Sequence, residues 1–99
     1  MRNRNHQRCE REILASCRGL MREGVLQPTA AAIADRADVA IRTVFAHHPT
    51  IDALRLAAVD DAETRRSVLD RLMGEEWQSD ALSGETLDRI LRAAVAGRL

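Results

Sequence analysis

The chain has 99 residues, a length that fits one compact domain. Apolar residues make up 45%, charged residues 30% and aromatics 2%, and fifteen basic residues balance fifteen acids to a net charge of zero. That apolar share excludes a disordered chain, and the scarcity of aromatic and β-branched residues points to helices rather than sheet. The neutral total argues against a nucleic-acid partner until the halves are read separately.

Every base is an arginine. Residues 1–50 hold eight of them against Glu10, Glu12, Glu23, Asp35 and Asp38, a formal +3. Residues 51–99 hold seven against ten acids, a formal −3. Such an asymmetry is what a chain with one nucleic-acid-facing end shows. No apolar signal-peptide core follows the charged start, and the longest apolar runs are too short to cross a bilayer, so a cytoplasmic protein with no membrane contact is expected.

Residues 1–7 lack periodicity and read as a flexible basic arm, either a disordered terminus or a strand of Arg2, Arg4, His6 and Arg8 along phosphates or a minor groove. Ile13, Leu14, Cys17, Leu20 and Met21 then line one face of a first helix that stops at Gly24. Cys9 and Cys17 lie two turns apart, roughly 12 Å along the axis, so they read as reduced thiols, with Cys17 in the core. Val25 and Leu26 are expected to turn back inward. Thr29 caps a second, shorter helix whose inner stripe is Ala30, Ile33, Ala34 and Ala37.

A turn follows at Asp38, a residue type that tolerates left-handed backbone, with Val39 as its anchor. A third short helix carries Ile41, Val44 and Phe45 inward and ends before Pro49. Thr50 caps a fourth helix expected to reach about Met73, with Leu54, Ala57, Ala58, Ala62, Leu69 and Leu72 as a broken stripe and Gly74 as its stop. Residues 75–83 form a polar connection around Trp77, read as core or interface. From Ser83, the residues Leu87, Ile90, Leu91, Ala94 and Val95 make a last amphipathic helix, which either folds back on the fourth or seeks a partner chain.

The expected fold is all-α: a small helical bundle with a three-helix, homeodomain-like helix-turn-helix head, a longer fourth helix and a C-terminal amphipathic helix. The expected segments are the arm 1–7, the head 8–49 and a helical tail 50–99. In a helix-turn-helix the second short helix enters the major groove while the first crosses the backbone. On this pattern alone, a DNA-binding head and an ordinary helical bundle both remain open.

The run Pro28-Thr-Ala-Ala-Ala-Ile-Ala-Asp-Arg-Ala-Asp-Val-Ala-Ile-Arg-Thr-Val-Phe-Ala-His-His-Pro-Thr-Ile-Asp-Ala-Leu54 resembles the DNA-binding region of the tetracycline-repressor (TetR/AcrR) family. The segment Arg11–Gly24 is similar to that family's first helix, and the likeness spans roughly residues 8–60. It implies a DNA-binding transcriptional regulator, a repressor, that grips double-stranded operator DNA as a homodimer and uses residues of about 40–47 as the recognition helix. Thr29 would meet a phosphate at the start of the second helix, Arg42 and Thr43 would face base edges, and His47 would meet the backbone. Phe45 stands where the family often has a tyrosine that touches phosphate.

Four positions depart from the family pattern. Asp38 replaces the usual turn glycine, Ala40 a serine-type cap, His48 a buried phenylalanine that leaves a ring in need of a partner, and Ile51 a frequent lysine. Fewer neutralised phosphates imply a weaker, less salt-dependent binder. The chain is also about half the family's usual length, and most of the ligand-binding and dimerising domain has no counterpart. The tail therefore reads as its remnant, and a small-molecule ligand is not assigned. The alternative is a truncated helical interaction protein that pairs with another chain and does not bind DNA productively.

Each candidate also has a plainer reading. Arg42 is a base reader, a phosphate clamp or a solvated charge; Thr29 is a cap, a phosphate contact or both. His47 and His48 are neighbours on a helix, project ~100° apart and do not readily share one ion, so no metal is expected. No nucleophile is paired with a base, so no enzyme, no catalytic residue and no cofactor is expected.

Overall fold

The computed structural model describes residues 2–74 and 83–98, with side chains from His6 onward. Its elements in chain order are α1 (Arg2–Arg22), α2 (Ala30–Ala37), α3 (Ile41–His47), α4 (Ile51–Ala58), α5 (Ala62–Met73) and α6 (Gly84–Val95). There is no strand among the described residues, and the architecture is a small all-α bundle. Trp77 and the expected polar connection around it lie outside the described residues.

The first helix buries Ile13, Cys17 and Met21 and closes at Gly24. There φ is +109°, and the Val25 amide donates back to the Leu20 carbonyl at 2.9 Å. The same device ends α2. Asp38 takes φ 58°, and Val39 donates to the Ala34 carbonyl at 3.0 Å while its side chain packs on the core. Both are left-handed stops that satisfy the last carbonyls of a helix. Thr29, Thr50, Asp61 and Ser83 each accept a backbone N–H in the first turn of the helix that follows, whereas Ala40 leaves α3 without a side-chain cap.

Several expectations are corrected. Residues 2–7 are helical and continue α1 rather than forming an aperiodic arm. The expected long fourth helix is two helices, because Asp61 caps α5 through the backbone N–H and the hydroxyl of Thr64 and interrupts the run. The inner face of α5 is Thr64, Val68 and Leu69, and Ala62 is exposed. Val25 does not return to the core and is 43% exposed. On α3, Val44 alone is buried; Ile41 and Phe45 stand 47% and 41% exposed.

One apolar cluster joins all six helices, from Ile13 and Cys17 through Ile33, Val44 and Leu54 to Val68, Leu87 and Leu91. The boundary drawn at 49/50 therefore separates no two cores. Of the two readings of α6, the fold-back holds: it buries Leu87, Leu91, Ala94 and Val95 against α4 and α5. Arg55 on α4 adds a polar tie. Its guanidinium donates to the carbonyls of Pro28 at 3.1 Å, Gln27 at 3.3 Å and Val95 at 3.4 Å. Gln27 in turn donates to the Ala94 carbonyl at 3.1 Å. The loop before α2 is thus held by α4 and by the end of α6.

Candidate functional site

The pair α2 and α3, packed on each other around the Asp38 turn and backed by α1, presents its outer face to solvent. Thr29 is exposed at the head of α2, and its Oγ1 accepts the Ala32 amide at 3.1 Å. A hydroxyl used in this way keeps its own O–H to donate, so cap and anion contact coexist. On α2 the Arg36 guanidinium is taken up by Glu23, which holds the Glu23 carboxyl below its ordinary value through the hydrogen bond between them.

Arg42 is exposed and has no carboxylate partner among the described residues; Thr43 is half-buried at the edge of the same surface. With 3.6 residues per turn, Ile41, Phe45, Arg42 and Ala46 fall in that order within an arc of ~140°. All four are exposed. Val44, ~160° from Arg42 around the helix, points into the core. The outer face of α3 therefore consists of one guanidinium, without a carboxylate partner among the described residues, set between apolar side chains.

His47 does not belong to that surface. Its side chain is 5% exposed and its ring stacks on His6, with centroids 4.2 Å apart and 29° between planes. Its Nδ1 lies 2.9 Å from Glu10 Oε2, an ion-pair distance, but off the direction that a hydrogen bond requires. The neighbouring His48 Nε2 is 2.8 Å from Glu10 Oε1 in good hydrogen-bond geometry. The expectation that His47 meets a DNA backbone is corrected accordingly: the ring is packed between α1 and α3 and positions the helix end. The polar ring of His48 finds its partner in Glu10.

Glu10 was not singled out from the sequence, although a signal was present. It lies three and four residues before Ile13 and Leu14 and four after His6, so it extends the inner stripe of α1 by one turn. An acid on that stripe and a ring at a position expected to hold an apolar plug are mutually explanatory. Among the described residues, no group of three or more His, Cys, Asp or Glu side chains is arranged to hold a metal ion. No helix there is long and apolar enough to cross a membrane.

A concavity of about 360 Å³ runs between α4 and α6 over Leu56, Ala93, Val95 and Ala96. Two of its rim arginines are already engaged, Arg89 with Glu85 at 3.2 Å and Arg92 with Asp88 at 2.7 Å.

The fold and this surface define a small all-α bundle in which two short helices meet at a left-handed turn. Compared with known proteins, the chain matches no family model, no curated protein and no solved structure.

Proposed function

We propose that the chain is a sequence-specific DNA-binding regulator of the tetracycline-repressor type, acting as a repressor in the cytoplasm, with α3 as the helix that enters the major groove. The observation that carries this reading is the outer face of α3. It projects an arginine, Arg42, unpaired among the described residues, from a helix held by a left-handed turn against α2, whose own start is exposed at Thr29. A helix of this diameter fits a major groove ~12 Å wide, and a guanidinium pairs bidentately with the O6 and N7 of guanine. Arg42 is the base reader, Thr29 a backbone contact and Thr43 a contact at the rim, while His47 and His48 hold the end of α3 through Glu10. No catalytic step is assigned to any residue.

A single head covers one half-site, so full affinity requires two copies on half-sites ~34–36 Å apart. An exposed helix at Leu87–Val95 and a strictly monomeric free state would favour the alternative, a truncated interaction protein that pairs with another chain. That helix buries its apolar face within the chain, so the first of these does not support the alternative.

The test is a mobility-shift titration of the chain on DNA from its own upstream region, at low and at high salt, with light scattering for the number of copies bound. A shift that weakens with salt and is weakened further in Arg42→Ala is expected. No shift at low salt, or an unchanged shift for Arg42→Ala, overturns the proposal.

A further inference from the structure

We propose that Ile41 and Phe45 are specificity-determining residues that read thymine methyl groups beside the base met by Arg42, so that the preferred half-site carries thymine next to guanine. This rests on α3 being the recognition helix. Both side chains are large and apolar, and both are only half withdrawn from water although the core beneath α3 is already served by Val44. They lie at i and i+4, on one side of the helix, with Arg42 next in the same arc.

The patch is too small for a protein partner. It holds two large apolar side chains, against the roughly 20–30 residues a side of a stable interface. It is also convex, being the ridge of a seven-residue helix, so it suits a groove rather than a facing flat surface. The unpaired guanidinium set into it complements an anionic partner, and the surrounding half of the chain has more bases than acids.

Within the major groove, thymine is the one base whose edge carries a methyl group; cytosine has only a C5–H at that place, beside its amine donor, and the purine edges present donors and acceptors. A sec-butyl or phenyl group pressed on a methyl buries apolar surface on both sides. The same group pressed on a cytosine amine or a guanine carbonyl strips water from a polar atom and returns no hydrogen bond. Attraction to thymine and rejection of the other bases therefore come from the same two residues.

The experiment starts from duplexes selected by the full chain out of a random pool, in which each thymine is then replaced by deoxyuridine. Deoxyuridine pairs identically and lacks the methyl. Binding about three- to fivefold weaker at one or two thymines, and unchanged at the rest, is the expected result. Ile41→Ala and Phe45→Ala each abolish the thymine-over-uracil preference at one of those positions, and Arg42→Ala weakens binding but keeps the preference. Both apolar residues are half-exposed, and circular dichroism checks that each variant keeps its helices; the wild-type comparison stands without them. Equal affinity for thymine and uracil duplexes at every position overturns the inference while leaving DNA binding intact, as does a preference surviving in both folded alanine variants. Selection that retains no duplex overturns the reading of α3 and this inference with it.

Discussion

Glu10 on the first helix holds His48 just beyond the end of the third, with Oε1 2.8 Å from Nε2, while its other oxygen lies 2.9 Å from Nδ1 of His47. A single carboxylate thus secures two consecutive rings, both largely shielded from water, and ties the C-terminal end of α3 to α1.

Removing that carboxylate leaves the shielded His48 imidazole without its hydrogen-bond partner and His47 without the carboxylate beside it. Glu10→Ala is expected to cost about 1–3 kcal/mol, the penalty of an unsatisfied buried polar group. For a chain of this size that is a melting temperature lower by roughly 4–8 °C per kcal/mol. Glu10→Gln keeps an acceptor oxygen and loses less. A calorimetric scan in which Glu10→Ala melts with the wild type would sink this account.

Arg55 makes the second tie, between α4, the loop before α2 and the end of α6. Arg55→Ala releases three carbonyl acceptors at once and is expected to destabilise by about 2–3 kcal/mol in denaturant titration. Arg55→Lys restores less than half of that, because an ammonium lacks the planar fork that spans separate oxygens. Full recovery by lysine shows that charge, not geometry, is what the site uses.

The start of α5 is sensitive to acid. The backbone N–H of Thr64 and then its hydroxyl hold the Asp61 carboxyl below its ordinary value, outweighing the opposing effect of burial, with smaller help from the positive Arg18 and Arg22. Asp88 is likewise lowered, by Arg92 and then Arg65. A carboxyl lowered in the folded state contributes stability above the ordinary carboxylate range and loses it as pH falls through the lowered value. Asp61→Asn keeps a capping oxygen and removes the charge. The variant is expected to melt below the wild type at neutral pH, with the gap closing under acid. A gap that is constant with pH, measured by circular dichroism melts, contradicts the assignment.

Burial pushes the Cys17 thiol up to about 12, against the opposing pull of Arg55 and Arg18. The side chain is also fully enclosed. Since the thiolate is the reactive species, Cys17 is expected to resist a disulfide reagent in the native state and to react at the rate of global unfolding. The half-buried Cys9 reacts first. Two thiols that react together in native buffer would show that the core opens at α1.

Much of the fold is legible in the chain because its signals are local. Thr29, Thr50 and Ser83 stand where hydroxyls cap helices, and Gly24 and Asp38 stand where the backbone turns left-handed. These are choices made over three to five residues, where side-chain chemistry acts on its own backbone. The break between α4 and α5 is also local, through Asp61 and Thr64, but the apolar stripe running on either side of it masks the stop.

The candidate site divides along the same line. That Arg42 lies on the outside of a short helix follows from periodicity, since Val44 sets the inner direction. Periodicity does not decide which of Ile41, Phe45 and His47 faces water, because a seven-residue helix is too short to average over its neighbours. The packing of α1 against α3 decides it: Glu10 and His6 claim His47, and the apolar pair is left on the outer arc.

The zero net charge that opened the reading belongs to the sequence alone, as do the uneven division of charge between the halves, the helical class and most of the caps. Only the tertiary structure decides that both halves share one core, that α6 folds inward, and that Glu10 lies beside two histidines 37 and 38 positions away. Helix and cap signals are carried by residues close in the chain. The partners of His47, His48 and Arg55 are not; they meet because packed helices bring distant residues together, and the free energy of that meeting is settled by what else each side chain has to touch.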